Sequence, residues 1–136
     1  DRFDEALFSM SRTEALEMDP HQRMVMEQTY HALHDARIGP STLRGSNTSV
    51  FVGAGIAEHL SMTFADPKNI THHSMSGNAL SVISGRVSYT WDLRGTSLTV
   101  DTACSSAMTA FDLAVKAVTS GESDVSIVSR CESVQT

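Results

Sequence analysis

The 136-residue chain reads as an α/β layered domain. Three observations predict this. Short strand-like runs recur along the chain, at Thr48 to Val52, Ser97 to Thr102 and Asp124 to Ser129, and Ser97 to Thr102 alternates with the period of a strand. Between and before them lie segments with helical spacing and helix-start residues, as at Asp19-Pro20 and Ser105 to Ser120. Gly39-Pro40 and Gly121 punctuate the boundaries. Strands alternating with helices bury both faces of a sheet, which is the logic of an α/β layered architecture. No internal repeat, low-complexity tract or linker divides the chain, so it is one domain or part of one.

Each element follows from local chemistry. Ser11-Arg12-Thr13-Glu14 is a capping box that opens a short helix. Asp19-Pro20-His21-Gln22 opens a longer one, with Asp as N-cap and Pro at the first helical position. Met26, Tyr30 and Leu33 form its apolar stripe, and Gly39-Pro40 is expected to end it. Thr48 to Val52 is a strand, and Gly53-Ala54-Gly55 reads as a tight strand-to-loop turn. Asn78 to Tyr89 is expected to be a helix, against the weak propensity of Gly85 and its serines. After the strand Ser97 to Thr102, the helix Ser105 to Ser120 carries two stripes. Ala107, Ala110, Ala114 and Ala117 make one; Met108, Phe111, Val115 and Val118 make the other. Two apolar stripes leave little solvated face and predict a largely buried helix. Ser123, in the turn after Gly121, is expected to tolerate bulk.

Cys104 occupies the junction of strand and helix. At the first turn of a helix, unpaired N–H groups and the dipole favour an anion, which lowers a thiol's pKa. The thiolate is the nucleophilic form, so the placement nominates Cys104 for covalent catalysis. Cysteine more often packs as a small hydrophobe. The small polar flanks Thr102, Ala103, Ser105 and Ser106 favour the nucleophile, because a substrate carbonyl needs room to approach.

Composition limits the alternatives. A formal net charge of −6 with no long run of one sign argues against a nucleic-acid surface. No apolar run reaches membrane-spanning length, and no signal peptide opens the chain. The start at Asp1 without an initiator Met reads as cut from something longer. Cys104 and Cys131 are expected to be reduced thiols in a cytoplasmic protein. Gly53-Ala54-Gly55 lacks the third glycine of a dinucleotide loop, where Glu58 stands instead. His72-His73 lack metal-ligand spacing, and no metal site is assigned. His21, His31, His34 and His59 read as surface or cap residues. Ser81, Ser84, Ser105 and Ser106 lack a nucleophile elbow. The seven methionines read as core filler.

Gly95-Thr96-Ser97-Leu98-Thr99-Val100-Asp101-Thr102-Ala103-Cys104-Ser105-Ser106-Ala107 resembles the active-site signature of β-ketoacyl synthases. It is closest to the ketosynthase domains of polyketide synthases and multifunctional fatty acid synthases. Four further segments agree in the same order. Met18-Asp19-Pro20-His21-Gln22-Arg23 is similar to the family's Met-Asp-Pro-Gln-Gln-Arg. Gly45 to Gly53, Gly77 to Tyr89 and Ser120 to Asp124 resemble its core strand, the segment before the signature, and the turn after the nucleophile helix. Some positions depart from the pattern. Ser9 and Arg12 replace a Gly and a Pro common in the first motif. Thr96 replaces a frequent proline, which is expected to loosen the strand entry. Ser129-Arg130-Cys131 stands where a Gly-Gly turn usually follows the strand.

The resemblance implies a thiolase-like layered fold, with residues 1–136 as an incomplete first half truncated at both ends. It implies an acyltransferase of the 3-oxoacyl-[acyl-carrier-protein] synthase type, acting in polyketide or fatty acid biosynthesis. Cys104 would accept an acyl group from phosphopantetheine, and its backbone N–H would be an oxyanion donor. A malonyl-type extender on acyl carrier protein would then condense with it by losing carbon dioxide. No cofactor is bound directly. The family's two histidines that assist decarboxylation lie beyond Thr136, so none of the six histidines is assigned, and the segment alone is expected to be inactive. Implied partners are acyl carrier protein, neighbouring synthase domains and a second copy in a homodimer. The strand before Cys104 would lie near the two-fold axis, and Ser74 and Met75 near the partner's acyl pocket. Two other readings stay open: a thiolase-type acyltransferase and a non-catalytic acyl-binding scaffold, although scaffold relatives lack the cysteine.

Overall fold

A computed structural model of the chain describes residues 3–54 and 82–131. Expectations at Gly55, Glu58, His59, His72, His73, Ser74, Met75, Ser81 and the start of the helix expected from Asn78 lie outside the described residues. The elements, in chain order, are α1 (Arg12–Glu17), α2 (Pro20–Asp35), α3 (Pro40–Leu43), β1 (Thr48–Ala54), α4 (Val82–Thr90), β2 (Ser97–Val100), a 3₁₀ turn (Ala103–Ser105), α5 (Ser106–Thr119) and β3 (Val125–Cys131).

The described strands form one parallel sheet in the order β2-β1-β3. Every residue of β1 is buried, as expected for a central strand covered on both faces. Its alternate residues serve opposite layers. Val50, Val52 and Ala54 join a core with Val25, Met26 and Leu33 of α2, Ile83 and Val87 of α4, and Trp91. Phe51 points the other way, into a second core with Ala110, Ala114 and Ala117 of α5. Helices therefore cover both faces, and α5 alone among the described helices packs against the second.

Two N-termini form as the sequence predicts. The Ser11 hydroxyl accepts the Glu14 N–H at 3.1 Å, and Oδ1 of buried Asp19 accepts the His21 N–H at 2.7 Å. The side chains of Glu14 and Gln22 also meet α4. Arg86, itself buried, donates from Nε to Gln22 Oε1 at 2.5 Å and from Nη1 to Glu14 Oε1 at 2.6 Å. The guanidinium fork thus ties α4 to both N-terminal helices.

Several expectations are corrected. Helix α2 ends at Asp35, before Gly39-Pro40, because Arg37 takes a left-handed conformation (φ 57°). Strand β2 ends at Val100. Strand β3 continues through Ser129-Arg130-Cys131, which is paired with β1 and makes no turn. Helix α5 buries only its alanine face: Met108, Phe111, Val115 and Val118 are exposed, since none of the described elements packs on that stripe. At the entry to β2, Thr96 is held by two bonds. Its carbonyl accepts the Val50 N–H and its hydroxyl donates to Glu122 at 2.7 Å. Ser123 is buried, with its hydroxyl bonded to that of Ser49, so the turn it occupies is no site for bulk. Gly121 (φ 77°) terminates α5 as expected, its N–H donating to the Val118 carbonyl.

Candidate active site

Cys104 lies just beyond the carboxyl end of β2, where a parallel sheet commonly presents its ligands. It sits in the 3₁₀ turn that precedes α5, two residues before the first α-helical residue, and it is exposed. The turn is built from small polar side chains. The Asp101 carboxylate accepts the Ala103 N–H at 3.0 Å. The Ser106 hydroxyl accepts the Thr102 N–H at 2.8 Å and donates to the Ala103 carbonyl at 2.7 Å. Ser105 Oγ lies 2.7 Å from the Thr102 carbonyl and 2.9 Å from Thr102 Oγ1, which is itself 3.1 Å from Thr109 Oγ1.

Those bonds hold a strained backbone. Ala103, directly before the cysteine, has φ 54°. A left-handed residue with a Cβ costs roughly 1–2 kcal/mol, and such residues persist where their surroundings over-determine them. The N–H groups of Thr102, Ala103, Ser105 and Ser106 all have partners in the turn; that of Cys104 has none among the described residues.

Gly53 explains how α5 reaches this position. A Cβ on Gly53 would stand 2.6 Å from the Ser106 carbonyl carbon and 2.7 Å from the Ala107 nitrogen. The bare Cα lets the N-terminus of α5 rest on the end of the central strand. Gly53 lies within β1, so its role is close approach and not the tight turn read from the sequence. The alanine face of α5 extends the same close contact along the helix.

Cys131 is the contrasting thiol. It is buried at the end of β3, and burial, with a smaller contribution from the Asp19 carboxylate, pushes its pKa up to about 12. It is therefore a neutral packing residue near pH 7. Ser84 is buried and its hydroxyl accepts from Thr99 at 3.0 Å. His21 bonds the carboxylate of Asp19 through Nδ1 at 2.7 Å, in keeping with its cap assignment. His31 and His34 are exposed on α2. A cavity of about 500 Å³ at the far end of α2, lined by residues including Tyr30, His34, Arg37 and Pro40, takes no residue from the Cys104 turn. No group of three or more metal-ligating side chains occurs among the described residues, and none of their helices is long and apolar enough to cross a membrane.

Sequence reasoning located Cys104 but passed over Asp101, Ser106 and Gly53 as its supports. The serine doublet after the cysteine was the visible signal for Ser106. Nothing local marks Gly53, whose partner is more than fifty residues away in the chain.

Residues 1–135 match the family described as beta-ketoacyl synthase, N-terminal domain. The chain belongs to the β-ketoacyl synthase family. It is 44% identical over 128 residues to the spectinabilin polyketide synthase system protein NorC of Streptomyces orinoci, covering 94% of this chain and 6% of that protein. It is 46% identical over 132 residues to probable polyketide synthase 44 of Dictyostelium discoideum, covering 95% and 4%. Among solved structures, the ketosynthase from module 6 of the bacillaene synthase of Bacillus subtilis 168 matches with a TM-score of 0.77 at 29% identity, over 89% of this chain and 20% of that one. The oxazolomycin ketosynthase domain OzmH KS8 of Streptomyces albus JA3453 matches with a TM-score of 0.71 at 31% identity, over 91% and 28%. The layered arrangement is thus the ketosynthase, thiolase-like one, and the chain spans a small part of each relative's length.

Proposed function

We propose that this chain is the N-terminal portion of a ketosynthase domain in a polyketide synthase, and that Cys104 is its acyl-accepting nucleophile. The observation that carries the reading is an exposed Cys104 at the apex of a braced turn, with its own N–H unengaged among the described residues. The Cys104 Sγ attacks the carbonyl carbon of an acyl thioester delivered on phosphopantetheine of acyl carrier protein. The Cys104 N–H donates to the oxyanion that forms. As the tetrahedral intermediate collapses, the bond to the phosphopantetheine sulfur breaks and that thiolate leaves, taking up a proton.

A malonyl-type extender on acyl carrier protein then loses carbon dioxide. Its enolate carbon attacks the Cys104 thioester, a carbon–carbon bond forms, and the Cys104 thiolate is released. The substrates carry the reactive groups, so no resident cofactor is required. The polyketide synthases among the relatives favour polyketide over fatty acid synthesis. Acyl carrier protein, adjoining synthase domains and a homodimeric partner are the proposed associates, in a cytoplasmic setting that suits two free thiols.

The test is incubation of the complete domain with an acyl thioester, followed by peptide mass spectrometry. Acylation at Cys104 is expected; label on Cys131 alone overturns the assignment. Acylation from acyl-CoA with none from acyl carrier protein would favour a thiolase-type enzyme instead.

A further inference from the structure

The hydroxyl of Ser106 is buried, yet it belongs neither to the nucleophile nor to any core contact that needs polarity. It reaches backward past Cys104. It accepts the Thr102 N–H at 2.8 Å and donates to the Ala103 carbonyl at 2.7 Å. The Ser106 N–H donates to that same carbonyl. One side chain therefore closes the loop Thr102 to Ser106 with Cys104 at its apex. On its other side, the Ser106 backbone sits where a Cβ on Gly53 would come within 2.6 Å. The residue is fixed to the central strand and to the cysteine turn at once. The peptide it holds includes the left-handed Ala103 (φ 54°), a conformation that relaxes readily unless it is held.

We propose that Ser106 is a positioning residue for Cys104, its buried hydroxyl clamping the strained Thr102–Ala103 segment so that the thiol and the Cys104 N–H keep their orientation toward an acyl carbonyl. This rests on the reading of Cys104 as the acyl acceptor. Without the hydroxyl, the Thr102 N–H loses its acceptor and Ala103 can leave the left-handed region. The turn then samples orientations in which nucleophile and oxyanion donor no longer face the same carbonyl.

The experiment compares the parent with Ser106→Ala, Ala103→Gly and the double variant in the complete ketosynthase domain. It follows Cys104 acylation by an N-acetylcysteamine thioester through mass spectrometry, with the melting temperature as a second readout. For Ser106→Ala, a fall of about tenfold or more in the maximal acylation rate is expected, with the half-saturating thioester concentration little changed. Glycine adopts positive φ without a Cβ penalty, so Ala103→Gly in the Ser106→Ala background should raise the melting temperature toward the parent's. The acylation rate should stay low, because the turn is relaxed and still unclamped. Recovery of the rate together with the melting temperature would overturn the positioning role, as would acylation of Ser106→Ala at the parent's rate. A parent that is never acylated at Cys104 would instead overturn the nucleophile assignment, and the positioning role with it.

Discussion

Replacing Gly53 by alanine tests whether the central strand sets the position of the cysteine turn. The added Cβ would lie 2.6 Å from the Ser106 carbonyl carbon, 2.7 Å from the Ala107 nitrogen and 2.7 Å from the Ser106 carbonyl oxygen. Carbon atoms pack optimally at about 3.5–4.0 Å, so the contact is short by roughly 1 Å. All three obstructing atoms are backbone, and no rotamer change relieves them. The N-terminus of α5 must move, or the end of β1 must bend. Overpacking of this kind costs about 1–3 kcal/mol, and three backbone clashes at a fully buried strand place Gly53→Ala near the upper end. A displacement of about 1 Å at a reacting group can lower a rate by about a hundredfold. Urea unfolding and single-turnover acylation of Cys104, both in the complete domain, measure the two effects. A Gly53→Ala variant that keeps the parent's midpoint and acylation rate would refute the argument that α5 is seated on this residue.

Two further outcomes are expected. The Cys131 pKa is pushed up to about 12 from 9.0, so the folded state holds the protonated thiol more tightly than the unfolded state does. That contribution is fully present below about pH 9 and is lost as the pH rises toward 12. Cys131→Ala should flatten the alkaline limb of the stability profile, whereas an unchanged limb would remove Cys131 as its source. Ser123→Leu should destabilise by roughly 1–3 kcal/mol, comparable to Ala110→Leu, because it overfills a buried site and strips Ser49 of its hydroxyl partner. Chemical unfolding would show it; a Ser123→Leu midpoint equal to the parent's would return the residue to the surface turn that its sequence suggests.

The order of the strands and longer helices, the caps at Ser11 and Asp19, the stop at Gly121 and the placement of Cys104 between a strand and a helix were legible in the sequence; the short helix α3, which opens at Pro40, was not. Each depends on contacts within a few residues: a side chain bonding an N–H two or three positions on, a left-handed glycine, an alternation with period two. The functional resemblance was legible for the same reason, since the cysteine and its small flanking residues are contiguous. Tertiary structure decided the rest. Gly53 looked like a loop glycine until α5 came down on it from more than fifty residues away. Glu14 looked like a capping partner, but a buried Arg86 offers its carboxylate a stronger, charge-assisted bond than a helix N-terminus does. Ser123 looked like a solvated turn residue until β1 placed Ser49 opposite it. The two apolar stripes of α5 were visible, but which of them meets the sheet was not. Periodicity gives the angle between faces; only packing against Phe51 selects the alanine face for the described core.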